Sequence, residues 1–501
     1  MLKVRSAAIY SLVFLIATFV SQILITRSIT NNLGLEVYGV WAIIMSIQAY
    51  LFVADSGFSS SVTTYANIFE TRGHSHKVRA LLATNIYLLT VIFSIILIVG
   101  IFIGGQLDYL EFDWGFLIAV ATINVYILSI SGVFSNLLIA YFQVDVSKLL
   151  QIVNVVIMTF LVLFFSERGS GIESIVLALI GSSVVYLLIL AVYVAKKHAK
   201  TIYGGVFFFD VKIFKEVYEF SVNTFIIALA SRIQFYTDVL IVGLFLGLTQ
   251  TSTYEINNKL PFYATYLASS FVILYYPLMT RMYTKENIKK LRDMYFSVQF
   301  ISVFLGVTIS LILYLYIDDI LNYWIESDVR VDSEVFLLML VSLVLHSILG
   351  PVATLLQSIG RNTTLMYAEV FTALVNILLS VYLINLYGLL GVISGTVIAQ
   401  FGFLLFIYPY MLKTVLQVKF DYFIREVALP LILSFFGVAI LLYFYADLAR
   451  EFDGVLMILA SSVVIGILTA IVFLMSDFAC YKLHLKKCLS FDVVSRPSKY
   501  S

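Results

Sequence analysis

Apolar residues run through this chain in blocks separated by short polar stretches. The blocks are about 18 to 25 residues long, which is what a helix needs to cross about 30 Å of hydrocarbon. The pattern predicts fourteen spans, at 6–25, 37–56, 80–104, 114–140, 149–166, 172–195, 221–246, 252–278, 294–317, 333–357, 364–386, 388–411, 426–446 and 454–476. Helices rather than barrel strands are expected, because lipid leaves each backbone N–H and C=O to be satisfied within its own segment and barrel strands alternate instead of running apolar. The first run follows Lys3 and Arg5 as a signal peptide would. With thirteen more behind it, it reads as an uncleaved first helix.

The order of long and short connections repeats. LGLEVYGVW (33–41), between spans 1 and 2, is echoed by LGLTQTSTY (246–254), between spans 7 and 8. The turns AYFQVDVS (140–147) and QSIGRNTT (357–364) correspond, as do Gly171-Ile172 and Gly388-Leu389. A six-span repeat preserves orientation, so the expected fold is an all-α polytopic membrane protein with two parallel six-helix lobes around a central cleft. The expected division is an N-lobe (1–195), a linker (196–220), a C-lobe (221–411), an added pair of spans (412–476) and a tail (477–501). Within the linker, VKIFKEVYEF (211–220) reads as an amphipathic surface helix.

Composition agrees with a membrane chain: 61% of the 501 residues are hydrophobic and 12% charged, against about 25% charged in soluble domains. Of the 31 Lys and Arg, 25 fall in alternate connections on the side of the N-terminus, four in the opposite connections (Arg27, Arg168, Arg330, Arg450) and two within spans, Arg232 and Lys259. That asymmetry predicts cytoplasmic termini. The net charge of +1 averages a basic inner face with acidic outer loops, so it makes no case for nucleic acid. Cys480 and Cys488 lie in the tail and suggest neither a disulfide nor a metal. Motifs for a P-loop, a dinucleotide fold or a catalytic zinc are missing, so neither a cofactor nor an enzyme is expected.

The informative residues are the polar ones inside apolar runs, since a charge there costs at least ~2.5 kcal/mol unless it meets protein or water. Asp238 falls near mid-depth and Arg232 about 9 Å away along the helix. Six positions put the two on different faces, so each either pairs with another helix or lines a cavity. Lys259, with Glu255 four residues before it, is read as an internal pair or a cationic position facing a ligand. Arg27 ends span 1 and could snorkel outward or bind an anion. Asp55 is followed by SGFSSSVTTYA (56–66), which reads as a polar or broken helix lining water. Glu369 sits near the inner end of span 11, where it could reach water. His346 reads as packed.

Residues 27–66, with Arg27, Leu33-Gly34, Tyr38-Gly39, Asp55 and Gly57, resemble the opening of the polysaccharide transport family in the multidrug/oligosaccharidyl-lipid/polysaccharide (MOP) exporter superfamily. TDVLIVGLFLGLTQTSTYEINNKL (237–260) is similar to the start of that family's second lobe, and GLLGVISGTVIAQ (388–400) to its turn before span 12. The resemblance implies a Wzx-type flippase carrying undecaprenyl-diphosphate-linked oligosaccharide across the bacterial inner membrane. A peptidoglycan-precursor (lipid II) flippase and a multidrug or cation antiporter are the alternatives. On this likeness Arg27, Arg232 and Lys259 contact the diphosphate, Gln234, Tyr236, Tyr254 and Tyr263 contact sugar, and Asp55, Asp238 or Glu369 couple transport to H+ or Na+. Expected partners are the lipid-linked oligosaccharide, membrane lipids, a polysaccharide polymerase and a chain-length regulator. Where relatives carry a basic residue after Asp-x-Gly, this chain has Thr63 and Thr64.

Overall fold

The computed structural model describes residues 2–106, 112–199, 207–325, 329–418, 465–467 and 469. Its helices are α1 (Leu2–Leu33), α2 (Leu35–Thr71), α3 (Ser75–Gly104), α4 (Trp114–Ala140), α5 (Val144–Glu167), α6 (Ile172–Lys197), α7 (Val211–Leu246), α8 (Leu248–Ile273), α9 (Tyr276–Thr284), α10 (Ile288–Trp324), α11 (Ser333–Ser358), α12 (Asn362–Tyr387) and α13 (Leu389–Thr414). No strand occurs among the described residues. Twelve stretches are long and apolar enough to cross a membrane, with α8 and α9 forming one of them. They match the first twelve expected spans in order. Spans 13 and 14 and the tail lie outside the described residues, apart from 465–467 and 469.

Two helices run longer than expected. The stretch 211–220 is helical, but it continues without a break into span 7 as α7, whose first amides at Lys212 and Ile213 are capped by Asp210 Oδ1 at 2.9 and 3.2 Å. Neither Gly nor Pro lies between 211 and 242 to stop it. Likewise α2 does not break at its serines. Their hydroxyls bond back to the helix, Ser56 to Val53 O (2.8 Å), Ser60 to Ser56 O (2.6 Å) and Ser61 to Phe58 O (2.6 Å), so the polar run is satisfied without unwinding.

The repeat seen in the sequence is also a repeat of backbone turns. Gly34, between α1 and α2, has φ 90 and ψ 170, and Gly247, between α7 and α8, has φ 87 and ψ 178. This region of backbone space is open to glycine alone. Replacing either residue with alanine should cost about 1–3 kcal/mol, read as a lower melting temperature in detergent, whereas Gly402→Ala, whose new Cβ meets nothing, should change little. The inner turns echo as well. Phe142 and Gly360 have φ 57 and 77, and the next amides, Gln143 and Arg361, return to the carbonyls of Leu138 and Leu356.

The chain divides into two compact units, Met1–Ile256 with Trp324–Val329, and Asn257–Tyr323 with Arg330–Ser501. The sequence-based boundary falls at 220, and this one at 256, with α7 and the start of α8 in the first unit. There α2 is the spine. A Cβ on Gly57 would stand 2.3 Å from the carbonyl oxygen of Ser221 on α7, and one on Gly39 would stand 2.3 Å from that of Leu248 on α8. Backbones therefore touch where the glycines lie. On another face of α2, Val62, Ala66 and Phe69 join Leu81, Leu82, Val133, Leu137 and Leu190 in an apolar core. Trp324 closes the unit by donating its indole N–H to the carbonyl of Ile23 at 2.9 Å. The second unit has its own core of Met294, Tyr295 and Phe296 on α10 with Val352, Leu355, Leu365 and Met411. Thr469 bonds Thr308 of α10 at 3.0 Å.

Candidate functional site

In the first unit, α7 sorts its polar residues by face. Thr237 and Asp238 are buried, 8% and 6% exposed, while Arg232, Gln234 and Tyr236 are half-buried. Arg232 lies one helical turn before Tyr236, and its guanidinium sits over that ring, 5.5 Å from the centroid. A cation over an aromatic face keeps part of its stabilisation where water is scarce. On the other face, Tyr254 of α8 donates its hydroxyl to Asp238 Oδ2 at 2.9 Å. Tyr254 is 1% exposed, so a residue expected to touch sugar is engaged with a residue expected to couple an ion. Beside them Tyr50 of α2 and Thr237 share a hydrogen bond.

Asp55 lies midway along α2, half-buried, and accepts a hydrogen bond from Ser59 one turn on. Gly132 of α4 faces both, since a Cβ there would lie 3.3 Å from Asp55 Oδ2 and 3.4 Å from Ser59 Oγ. Arg27 is exposed on α1 while its neighbours Thr26, Ser28 and Thr30 are buried, Ser28 bonding Ser166 of α5. The structure thus leaves Arg27 as the exposed residue of that run. At the far end of the unit His198, just past α6, stacks on Tyr141 at 4.7 Å and lies 3.2 Å from Gln143 Nε2. Burial holds its imidazole below the ordinary value, with Lys197 adding to the shift and Glu70 opposing it.

Lys259, Tyr263 and Glu369 belong to the second unit. Lys259 is buried, 6% exposed, and Tyr263 and Glu369 are half-buried. Pro261 stands inside α8 and has no N–H to give the carbonyl of Asn257. His346 is packed as expected, 2.9 Å from Gln400 Nε2, which also bonds Ser342 Oγ at 2.8 Å.

The sequence reading passed over the buried amides. Asn124 Nδ2 donates to Gln48 Oε1 at 2.9 Å and Ser183 donates to Asn124 Oδ1 at 2.6 Å, tying α2, α4 and α6 together inside apolar surroundings. A lone Gln or Asn within an apolar run was the available signal, since such a group must find a partner. Gln48 Nε2 is still buried without one.

The family model for polysaccharide biosynthesis proteins matches residues 4–283, more than half of the chain. The chain belongs to that family. The MatE family model matches residues 225–382. No curated protein matches in sequence. Among solved structures the chain is similar to one described as the lipid II flippase MurJ in an inward closed conformation, with a TM-score of 0.71 and 16% identity over 95% of this chain and 98% of that one. It is also similar to inward-facing and outward-facing forms of a multidrug resistance MATE transporter of the MOP superfamily, with TM-scores of 0.67 and 0.58. Identities there are 13% and 15%, over 80% and 83% of this chain and 95% and 96% of those. Likeness at this identity shows a shared fold. Family and fold together make this chain a multi-pass membrane member of the polysaccharide biosynthesis family that shares the fold of the MurJ and MATE structures.

Proposed function

We propose that this protein is a flippase that carries undecaprenyl-diphosphate-linked oligosaccharide units from the cytoplasmic to the periplasmic leaflet of a bacterial inner membrane, by alternating access and with ion coupling. The observation that carries the reading is Arg232, a half-buried cation in a membrane span with its guanidinium over Tyr236. A diphosphate is an anion that a guanidinium can bind with two parallel hydrogen bonds, while Gln234 and Tyr236 on the same helix offer sugar contacts. Arg27, Lys259 and Tyr263 are further proposed substrate contacts, and Asp55, Asp238 and Glu369 proposed coupling groups. Both termini are placed in the cytoplasm by the basic-residue asymmetry. A polymerase and a chain-length regulator are the proposed downstream partners.

A second reading, a lipid II flippase, is favoured by the likeness to MurJ. The two substrates share the diphosphate and the polyprenyl tail, so Arg232 serves both. A cation antiporter fits less well, because a basic residue in the site would repel its cargo.

Arg232→Ala should lower surface polysaccharide at least tenfold at matched protein level, the effect of losing about 1.4 kcal/mol or more of anion binding. Arg232→Lys, which keeps the charge and loses the fork, should fall between. Normal export by Arg232→Ala would end the anion-site reading.

A further inference from the structure

One polar feature of the first unit has no place in the substrate site. Asp55, Ser59, Thr63, Asn67 and Glu70 recur on α2 at intervals of four, four, four and three residues, which keeps them on one side of the helix. They face α4 rung by rung. Gly132 lies against Asp55 and Ser59. Thr63 donates to Asn136 Oδ1 at 3.2 Å, Asn67 Nδ2 donates to the carbonyl of Ala140 at 3.1 Å, and Tyr141 donates to Glu70 Oε2 at 3.5 Å. This seam starts at a carboxylate in mid-helix and runs about 22 Å along α2. It ends at exposed Glu70, beside Arg72, Lys77 and Arg79 at the basic end of the unit.

Two observations favour water along the seam. Asp55, Thr63, Asn67, Gly132 and Asn136 are partly exposed and Ser59 is 5% exposed, whereas Val62, Ala66, Val133 and Leu137, next to them on the same two helices, are 0% exposed. The Thr63–Asn136 and Asn67–Ala140 bonds each use only part of the hydrogen-bonding capacity of these hydroxyl and amide groups. Groups so placed would be costly against lipid and are satisfied by water. Rungs four residues apart are about 6 Å apart along the axis, room for one water between each.

We infer that the α2–α4 seam is a hydrated path by which a proton reaches the Asp55 carboxylate from the basic end of the unit. The proton passes from water to water between the rungs and binds a carboxylate oxygen of Asp55. A proton rather than sodium is favoured because Ser59 and Gly132 are the groups placed against Asp55, and sodium would need more oxygens. The inference rests on reading Asp55 as a coupling group.

Cysteines at 63, 67 and 136, in a chain with Cys480 and Cys488 changed to serine, should react with a membrane-impermeant thiol reagent added to inside-out vesicles. Rates should be about tenfold or more above those of cysteines at 66 and 137. In right-side-out cells the same positions should not react. Thr63→Cys is nearly isosteric, and hydroxyl-radical footprinting of the unaltered protein should mark the same rungs without any substitution. Rates equal to those at 66 and 137 would overturn the path, as would labelling only from the other face, or protection of all three positions by accumulated lipid-linked oligosaccharide. Asp55→Asn separates the two readings. Lost transport with intact labelling supports both, normal transport removes the coupling role and leaves a wet seam, and a dry seam with lost transport removes the path alone. Dependence of transport on sodium at constant pH would assign the path to the other cation and overturn the proton.

Discussion

Gly57→Val should leave little folded protein. The new Cβ would start 2.3 Å from the Ser221 carbonyl, where backbone faces backbone and no side-chain rotation can give way. α2 and α7 would have to separate along their crossing. Overpacking of this kind costs about 1–3 kcal/mol even where a core can adjust. Here the spine of the unit moves, and the total to draw on is ~5–15 kcal/mol. The check is accumulation in membranes together with melting temperature in detergent. Gly57→Ala should already lose most of the stability, and Gly402→Ala should not. A Gly57→Ala protein that melts with the wild type would mean that α2 and α7 do not approach this closely.

The second large effect concerns Asp238. Its carboxylate is 6% exposed and accepts the Tyr254 hydroxyl, an interaction of the charge-assisted kind worth about 1.5–3 kcal/mol. Tyr254→Phe should remove that donor and keep the ring, so stability should fall by roughly that amount. If Asp238 couples an ion, transport should fall further than stability does. Asp238→Asn sharpens the distinction, because it keeps a group that accepts from Tyr254 and removes the charge. Transport lost by Asp238→Asn, with the melting temperature nearly kept, is the expected result. Normal transport would make the carboxylate a packing element only.

What could be read from the chain depended on whether the cause was local. Twelve spans were legible because the length of each apolar block is set by the hydrocarbon layer, with no reference to neighbours. The continuity of α2 was not, because a serine-rich run looks like loop composition until its hydroxyls are seen bonding back to the helix. The family-like residues Gly34, Gly39 and Gly57 were visible as letters. Their work was not, since one supplies a turn and the other two a close approach that depends on α7 and α8. The pairing of Asp238 with Tyr254 lies across a turn and sixteen positions in sequence, beyond any helical periodicity. By contrast, the stacking of Arg232 on Tyr236 follows from i, i+4 spacing and could have been read directly.

The first unit does not end where its run of sequence ends. Trp324, Ile325 and Val329, 7%, 3% and 1% exposed, return to it from far along the chain, and the indole of Trp324 occupies the carbonyl of Ile23. A fragment stopped at Ile256 would therefore be an incomplete copy, lacking an apolar plug of its own making. Complementation by two separately expressed pieces would have to supply that plug in trans, because a cut moved to follow Val329 would instead part α10 from the rest of the second unit's core.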